Sequence, residues 1–174
     1  MDVEEEANVE KYRWNVPEII SYNSNYKETK MDKSIMAPFY AKTQSKPEQE
    51  FIKLLEKSDN VVWWFKNGET EAKYFAVLWE DEFGKKHGFY VDFIFQMKDG
   101  TIGIFDTKSG RTAQGDAKQK AEALAKYIKE ENKRGKHLIG GIVIQKDDIW
   151  RYNDSENYSF DENNLSQDWK FLKL

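Results

Sequence analysis

The stretch that most constrains this chain is Phe89–Gly110, FYVDFIFQMKDGTIGIFDTKSG. It reads as two strands joined by a tight turn, with Asp92 on the first, Asp106 on the second and Lys108 two residues further on. Side chains alternate along a strand, so Asp106 and Lys108 share a face with Ile102 and Ile104. A carboxylate and an ammonium then end an apolar row, where charges are costly unless they are paired or bound to a metal.

The turn, Lys98-Asp99-Gly100, decides whether Asp92 joins them. A two-residue Asp-Gly loop would pair Lys98 with Thr101 and set Asp92 opposite Thr107, on the other face. A three-residue loop ending in a left-handed Gly100 pairs Met97 with Thr101 and sets Asp92 opposite Asp106. Directly opposed residues have Cβ atoms about 5 Å apart. The sequence leaves the loop open, but only the second register accounts for both aspartates.

Two carboxylates, the neighbouring backbone carbonyl at Thr107 and waters would make an all-oxygen site. Such a site suits Mg²⁺ or Mn²⁺, which keep several waters and need few protein ligands. Lys108 beside it could neutralise a phosphate or orient a nucleophilic water. This D-x13-D-x-K pattern resembles the PD-(D/E)xK nuclease superfamily, with Val91-Asp92 in place of its frequent Pro-Asp and Asp106-Thr107-Lys108 as the D-x-K.

The rest of the composition limits the alternatives. With no cysteine there is neither a disulfide framework nor a thiolate metal site, and two histidines, His87 and His137, are too few for a histidine zinc centre. No apolar run approaches the roughly 20 residues that span a bilayer. The acidic start MDVEEEANVE lacks the basic and apolar regions of a signal peptide. The expectation is a soluble, cytoplasmic, prokaryotic-type protein with no membrane partner. A net charge of −4 argues mildly against nucleic acid, but the acids concentrate near both ends while the stretch from Lys108 to Lys136 is basic. Lys108, Arg111, Lys118 and Lys120 are the candidates for phosphate contact, against the plainer reading of a solvated helix face.

Taken in order, residues 1–44 form an irregular lead-in that packs on the domain, 45–153 the core, and 154–174 a tail docking through Trp169, Phe171 and Leu172. Ser45 to Lys57 is a helix with Phe51, Ile52, Leu54 and Leu55 as its apolar stripe. Ser45 and Glu48 have capping-box spacing, and Pro47 suits a first turn. Glu48 also leads the core-facing stripe and can reach the end of the sheet, so it is both a cap and a candidate site residue. Strands follow at Asn60–Lys66 and Ala72–Glu80. After the hairpin, Gly115-Asp116 opens a second helix, buried through Ala117, Ala121, Leu124, Ala125 and Ile128 and ended by Gly135. Leu138–Ile144 is an unbroken apolar run, the mark of a strand covered on both faces. One of Trp63 and Trp64 faces the core, and Lys108 is expected to be mostly solvated.

The wider context resembles the C-terminal endonuclease domain of type III restriction enzymes, in the Res subunit. The matching runs are Pro47-Glu48-x-x-Phe51-x-x-Leu54-Leu55, Val61–Gly68, Tyr90-Val91-Asp92-Phe93, Gly103–Gly110 and Lys120–Leu124. The resemblance implies an α/β fold with a restriction-endonuclease-like αβββαβ core, a mixed central sheet flanked by helices. It implies a Mg²⁺-dependent endodeoxyribonuclease acting on double-stranded DNA, the cleavage module of a type III-like restriction system. Asp92 and Asp106 would hold the metal, Glu48 assist, and Lys108 act on the phosphate. In that family the domain follows a helicase-like ATPase and works with a methyltransferase subunit. No G-x4-G-K-[ST] occurs here, so ATP would enter only through a motor absent from this chain. The competing reading is an inactive module of the same fold that docks on DNA or protein.

Overall fold

The computed structural model describes residues 14–41, 44–110, 112–114 and 117–174. Its centre is a six-stranded mixed sheet flanked by two helices. The strands are β3 (Val61–Lys66), β6 (Phe93–Met97), β7 (Ile102–Thr107), β8 (Leu138–Lys146), β9 (Ile149–Asn153) and β10 (Trp169–Phe171), in the spatial order β10-β9-β8-β7-β6-β3. β7 and β8 run parallel, joined by the helix α2 (Ala117–Lys133), and the other neighbours in the sheet are antiparallel.

The hairpin alternates as its sequence dictates. Phe93, Phe95 and Phe105 enter one core, against Phe51 of the helix α1 (Lys46–Lys57), while Ile94 and Ile104 enter the other, with Ala121, Leu124 and Ile128 of α2. Both faces are covered, so the strands carry few polar residues. The turn is the three-residue one: Met97 N–H donates to Thr101 O at 2.8 Å, Gly100 has φ +88°, and Phe93 pairs with Phe105. Gly103 stands opposite Phe95, and a Cβ there would come within 2.2 Å of the Phe95 ring, so glycine makes room for the stacked Phe95 and Phe105.

α1 begins as its sequence requires. Ser45 N–H donates to Glu48 Oε2 at 2.7 Å, and Ser45 Oγ accepts from Glu48 N–H at 3.4 Å. The second helix buries the expected alanine-rich stripe, and Gly135 at φ +90° closes it; Gly115 and Asp116 lie outside the described residues.

Three expectations change. The strand read from Ala72 is only Val77–Glu80 (β4), paired with Lys86–Phe89 (β5) in a separate hairpin. The cause is Asn67, whose buried amide accepts from Phe75 N–H and donates to Phe75 O and Val91 O, fastening residues 68–76 as a loop. Within the lead-in, Lys27–Thr29 (β1) pairs with Phe39–Ala41 (β2). The lead-in also covers the β3 edge: Ile35 N–H donates to Trp64 O, and Trp64 N–H to Lys33 O. This caps a row of backbone groups that would otherwise be open to another chain. At the far edge Trp169 is buried, but Phe171 stays 55% exposed, with the Arg151 guanidinium 4.6 Å from its ring.

Candidate functional site

Three elements converge at the end of the sheet. β3 ends at Lys66, the chain bends at Asp92 immediately before β6, and β7 delivers Asp106 and Thr107 with Lys108 just beyond. Asp92 lies one step past the Phe93–Phe105 pair, which brings it beside Asp106, though outside the ladder and not on a strand as the sequence suggested. Lys108 N–H donates to Val143 O at 2.9 Å, continuing the parallel pairing with β8.

The Asp92 carboxylate is held from two sides. Oδ2 accepts from the Thr107 amide at 2.8 Å and the Thr107 hydroxyl at 2.7 Å, while Oδ1 faces Lys66 Nζ at 3.1 Å. Thr107, expected to offer its carbonyl, therefore meets Asp92 through its donors. Lys66 Nζ also lies 2.8 Å from Glu48 Oε1. Glu48 thus caps α1 with one oxygen and reaches the sheet end with the other.

Asp106 is the most perturbed group. Its side chain is only 3% exposed, and Lys108 Nζ lies 2.5 Å from Oδ2. That approach is off the line of a hydrogen bond, so Oδ2 lacks an aligned donor among the described residues. Burial first, then the Asp92 charge, push its pKa up to about 7, and the attraction of Lys108 and Lys66 offsets this only in part. Near neutral pH this carboxyl is poised between its two forms. For Lys66 and Lys108 burial works against the charge, but Asp92 and Glu48 around Lys66, and Asp106 beside Lys108, more than compensate, so both ammonium groups are held above the usual lysine value. Burial likewise works against the Glu48 charge, and Lys66 and the Ser45 contacts outweigh it, leaving Glu48 below the usual range. Lys108, expected to be solvated, is only a quarter exposed because its partner is buried.

Lys66 is the residue the sequence reading missed. It shares the Trp64 face of β3, stands opposite Phe93 and packs 5.0 Å from that ring. A lysine closing the row of a core tryptophan carries the same signal as Asp106 closing the row of Ile104. Tyr158, brought in by the C-terminal tail, is a second such neighbour. Its hydroxyl donates to Ala113 O at 2.8 Å, and burial together with the Asp106 charge raises its pKa.

Among the described residues no three histidine, aspartate or glutamate side chains cluster closely enough to hold a metal ion. The donor set that fits a hard cation is the Asp92–Asp106 pair, whose mutual repulsion and unsatisfied oxygen a cation would relieve. Of the expected phosphate contacts, Lys118 is exposed 4.0 Å from Glu122, Lys120 sits 5.3 Å from the Trp79 ring, and Arg111 lies outside the described residues. Further along the basic stretch, Lys129 pairs with Glu156, while Arg134 and Lys136 share Glu131, so three of its cations are partly offset by two carboxylates.

The YagJ family model matches residues 29–156, well over half of the chain and the whole of this site. The chain belongs to the YagJ family. No curated protein and no solved structure matches it. Among the described residues of this YagJ family member, no helix is long and apolar enough to cross a membrane.

The Glu48–Lys66–Asp92 bridge yields a stability prediction. Lys66→Met leaves two largely buried carboxylates unpaired, and breaking such a bridge costs about 3 kcal/mol. Urea unfolding measures this; a change under about 0.5 kcal/mol, the level of an exposed pair, would show the bridge to be dispensable.

Proposed function

We propose that this YagJ family member is a metal-dependent endodeoxyribonuclease whose centre is Asp92, Asp106 and Lys108, assisted by Glu48. The observation that carries the reading is a pair of carboxylates meeting across the open end of a hairpin. One of them is pushed up to about 7 by burial and by the other, with a lysine two residues on. Apart from the separate β4–β5 hairpin inserted between β3 and β6, the order α1, β3, β6, β7, α2, β8, with β7 and β8 parallel, supports relating the fold to the αβββαβ core of the PD-(D/E)xK superfamily and to the nuclease domain of type III restriction enzymes.

In this reading Asp92 and Asp106 would hold Mg²⁺ or Mn²⁺. A bound cation there would polarise a phosphodiester and lower the pKa of its water. Thr107 fixes the Asp92 carboxylate through two hydrogen bonds, and Lys66 holds Glu48 and Asp92 together at the sheet end. Lys108 places positive charge where phosphate oxygens gain negative charge. DNA is the proposed substrate, a helicase-like motor and a methyltransferase the proposed partners, and the cytoplasm the proposed site of action. The purified chain is expected to nick supercoiled plasmid in millimolar Mg²⁺ or Mn²⁺ and to stop on chelation, with Asp106→Asn inactive. Equal nicking by wild type and Asp106→Asn would reject this centre.

A second reading, an inactive docking module of the same fold, draws on Lys66. With Asp106 protonated, Glu48 and Asp92 are balanced by Lys66 and Lys108 with no metal needed. A melting temperature indifferent to millimolar metal would favour it.

A further inference from the structure

The β4–β5 hairpin ends in a turn that holds one phenylalanine away from the protein. Phe83 is 86% exposed, the most exposed large apolar side chain among the described residues. The turn around it is tightly built. Asp81 Oδ1 accepts from Phe83 N–H and Lys85 N–H, both at 2.9 Å, and Asp81 Oδ2 lies 2.7 Å from His87 Nε2. Gly84, at φ +78°, donates to Asp81 O, and Asp81 N–H donates to Lys85 O. The turn backbone therefore fixes the direction in which Phe83 leaves the chain. Lys85 and Lys86 are exposed beside it, and at the hairpin base Lys120 of α2 sits 5.3 Å from the Trp79 ring, with Lys118 exposed on the same helix. The acids of the tip are Asp81, occupied by the turn and His87, and the exposed Glu80 and Glu82.

We propose that this hairpin is a wedge that inserts Phe83 into the base stack of duplex DNA, with Lys85 and Lys86 on the flanking phosphates. The proposal rests on the nuclease reading and adds a substrate-deforming element to it. The chemistry favours DNA over protein. A protein interface needs an apolar core within roughly 800 Å² per partner, whereas Phe83 is a lone ring between Glu82 and Gly84-Lys85-Lys86. A wedge needs only one apolar side chain on a rigid support, entering a base step and kinking the duplex. The hairpin is also fastened to the candidate centre: β5 runs through buried Val91 to Asp92, and the Asn67 amide grips Val91 O. Nine residues separate Phe83 from Asp92, at most about 30 Å of extended chain, so a kink would fall within about one helical turn of the cut.

The test uses the full chain and a duplex carrying 2-aminopurine at its centre, in EDTA so that nothing is cut. Wild type is expected to raise the fluorescence of the unstacked base. Phe83→Ala should lose that rise and bind about tenfold more weakly, the loss of one aromatic stack, while Phe83→Trp restores both. The double variant Lys85→Ala, Lys86→Ala should keep the rise at low salt and reduce the slope of log affinity against log salt by about 2. Phe83 is so exposed that its replacement should leave the melting temperature unchanged. Duplex binding with the same fluorescence in wild type and Phe83→Ala would overturn the wedge alone. No duplex binding at all would overturn the wedge, while the nuclease reading stands or falls on nicking in Mg²⁺ or Mn²⁺. Self-association of wild type that Phe83→Ala abolishes, seen by sedimentation, would overturn the wedge in favour of a contact between copies.

Discussion

Asp106→Asn is expected to melt higher than wild type at pH 8 in metal-free buffer, and to remove most of the fall in stability between pH 4 and pH 7. The folded carboxyl titrates at about 7 and the unfolded one at 3.8. Between those values the folded chain binds a proton that the unfolded chain has released, so stability decreases as pH rises across that window. The full loss is on the order of 4 kcal/mol, at 1.36 kcal/mol per pH unit over the window. Glu48 acts in the opposite direction and lower down: its depressed pKa gives stability present above its unfolded value of 4.5 and lost as pH falls. Lys66 and Lys108, both raised above 10.5, lose their contribution only in alkali. The Asp106 window thus runs against that of Glu48 and above it. Asparagine keeps the Asp106 volume without the charge, though its amide must find a partner. A gain of about 2 kcal/mol at pH 8, or roughly 5 °C for a chain of this size, is the expected result. A variant that melts lower than wild type at pH 8 would mean that Lys108 fully compensates the Asp106 charge.

Metal reverses the comparison. A cation bound only by the folded carboxylate pair stabilises the wild type by mass action, RT ln(1 + [M]/Kd). At pH 8 millimolar Mg²⁺ or Mn²⁺ should therefore raise the wild-type melting temperature and leave Asp106→Asn unmoved. The two measurements together separate an anionic pair that waits for a cation from one already neutralised by lysine.

The parts of this arrangement legible from the sequence rest on local geometry. The hairpin register needed only period-two alternation and the demand that Asp92 and Asp106 share a neighbourhood, and the glycine at φ +88° is where the turn required it. The α1 start followed from Ser45, Pro47 and Glu48 within one turn. What escaped depends on contacts distant in sequence. Asn67 shortens a strand by gripping Phe75 and Val91, and no local pattern announces such a grip. Tyr158 reaches Ala113 and the Asp106 neighbourhood from the tail. Lys66 lay between these cases. Its role follows once Trp64, and not Trp63, is known to be the core tryptophan, because alternation then places the lysine on the buried row. Phe171 shares the Trp169 face by alternation, yet it stays exposed: it ends a three-residue edge strand, where the Arg151 guanidinium is what lies against its ring.

Lys108→Ala is expected to lower DNA cleavage by roughly 10²–10³ while metal binding is kept. An ammonium has no lone pair and cannot be a metal ligand. It acts on charge that grows in the transition state, where one preorganised donor supplies about 3–4 kcal/mol. Its place 2.5 Å from Asp106 Oδ2 adds two consequences that a solvated lysine would not have. Without it the buried carboxyl loses its attractive partner, is driven further up in pKa and stays protonated at neutral pH. The folding cost is then limited at pH 6 and larger at pH 8, where the proton must be held against a higher pH. Above the raised pKa of the carboxyl the metal-induced rise in melting temperature should be at least as large as in wild type, because a competing cation has been removed from the pair; at neutral pH the retained proton competes with the metal. Asp106→Asn differs by losing both metal response and cleavage. Single-turnover nicking at saturating Mn²⁺, with the melting shift measured on the same preparations, distinguishes the two variants. Undiminished nicking by Lys108→Ala would remove the lysine from the chemistry and leave it as the counterion of Asp106.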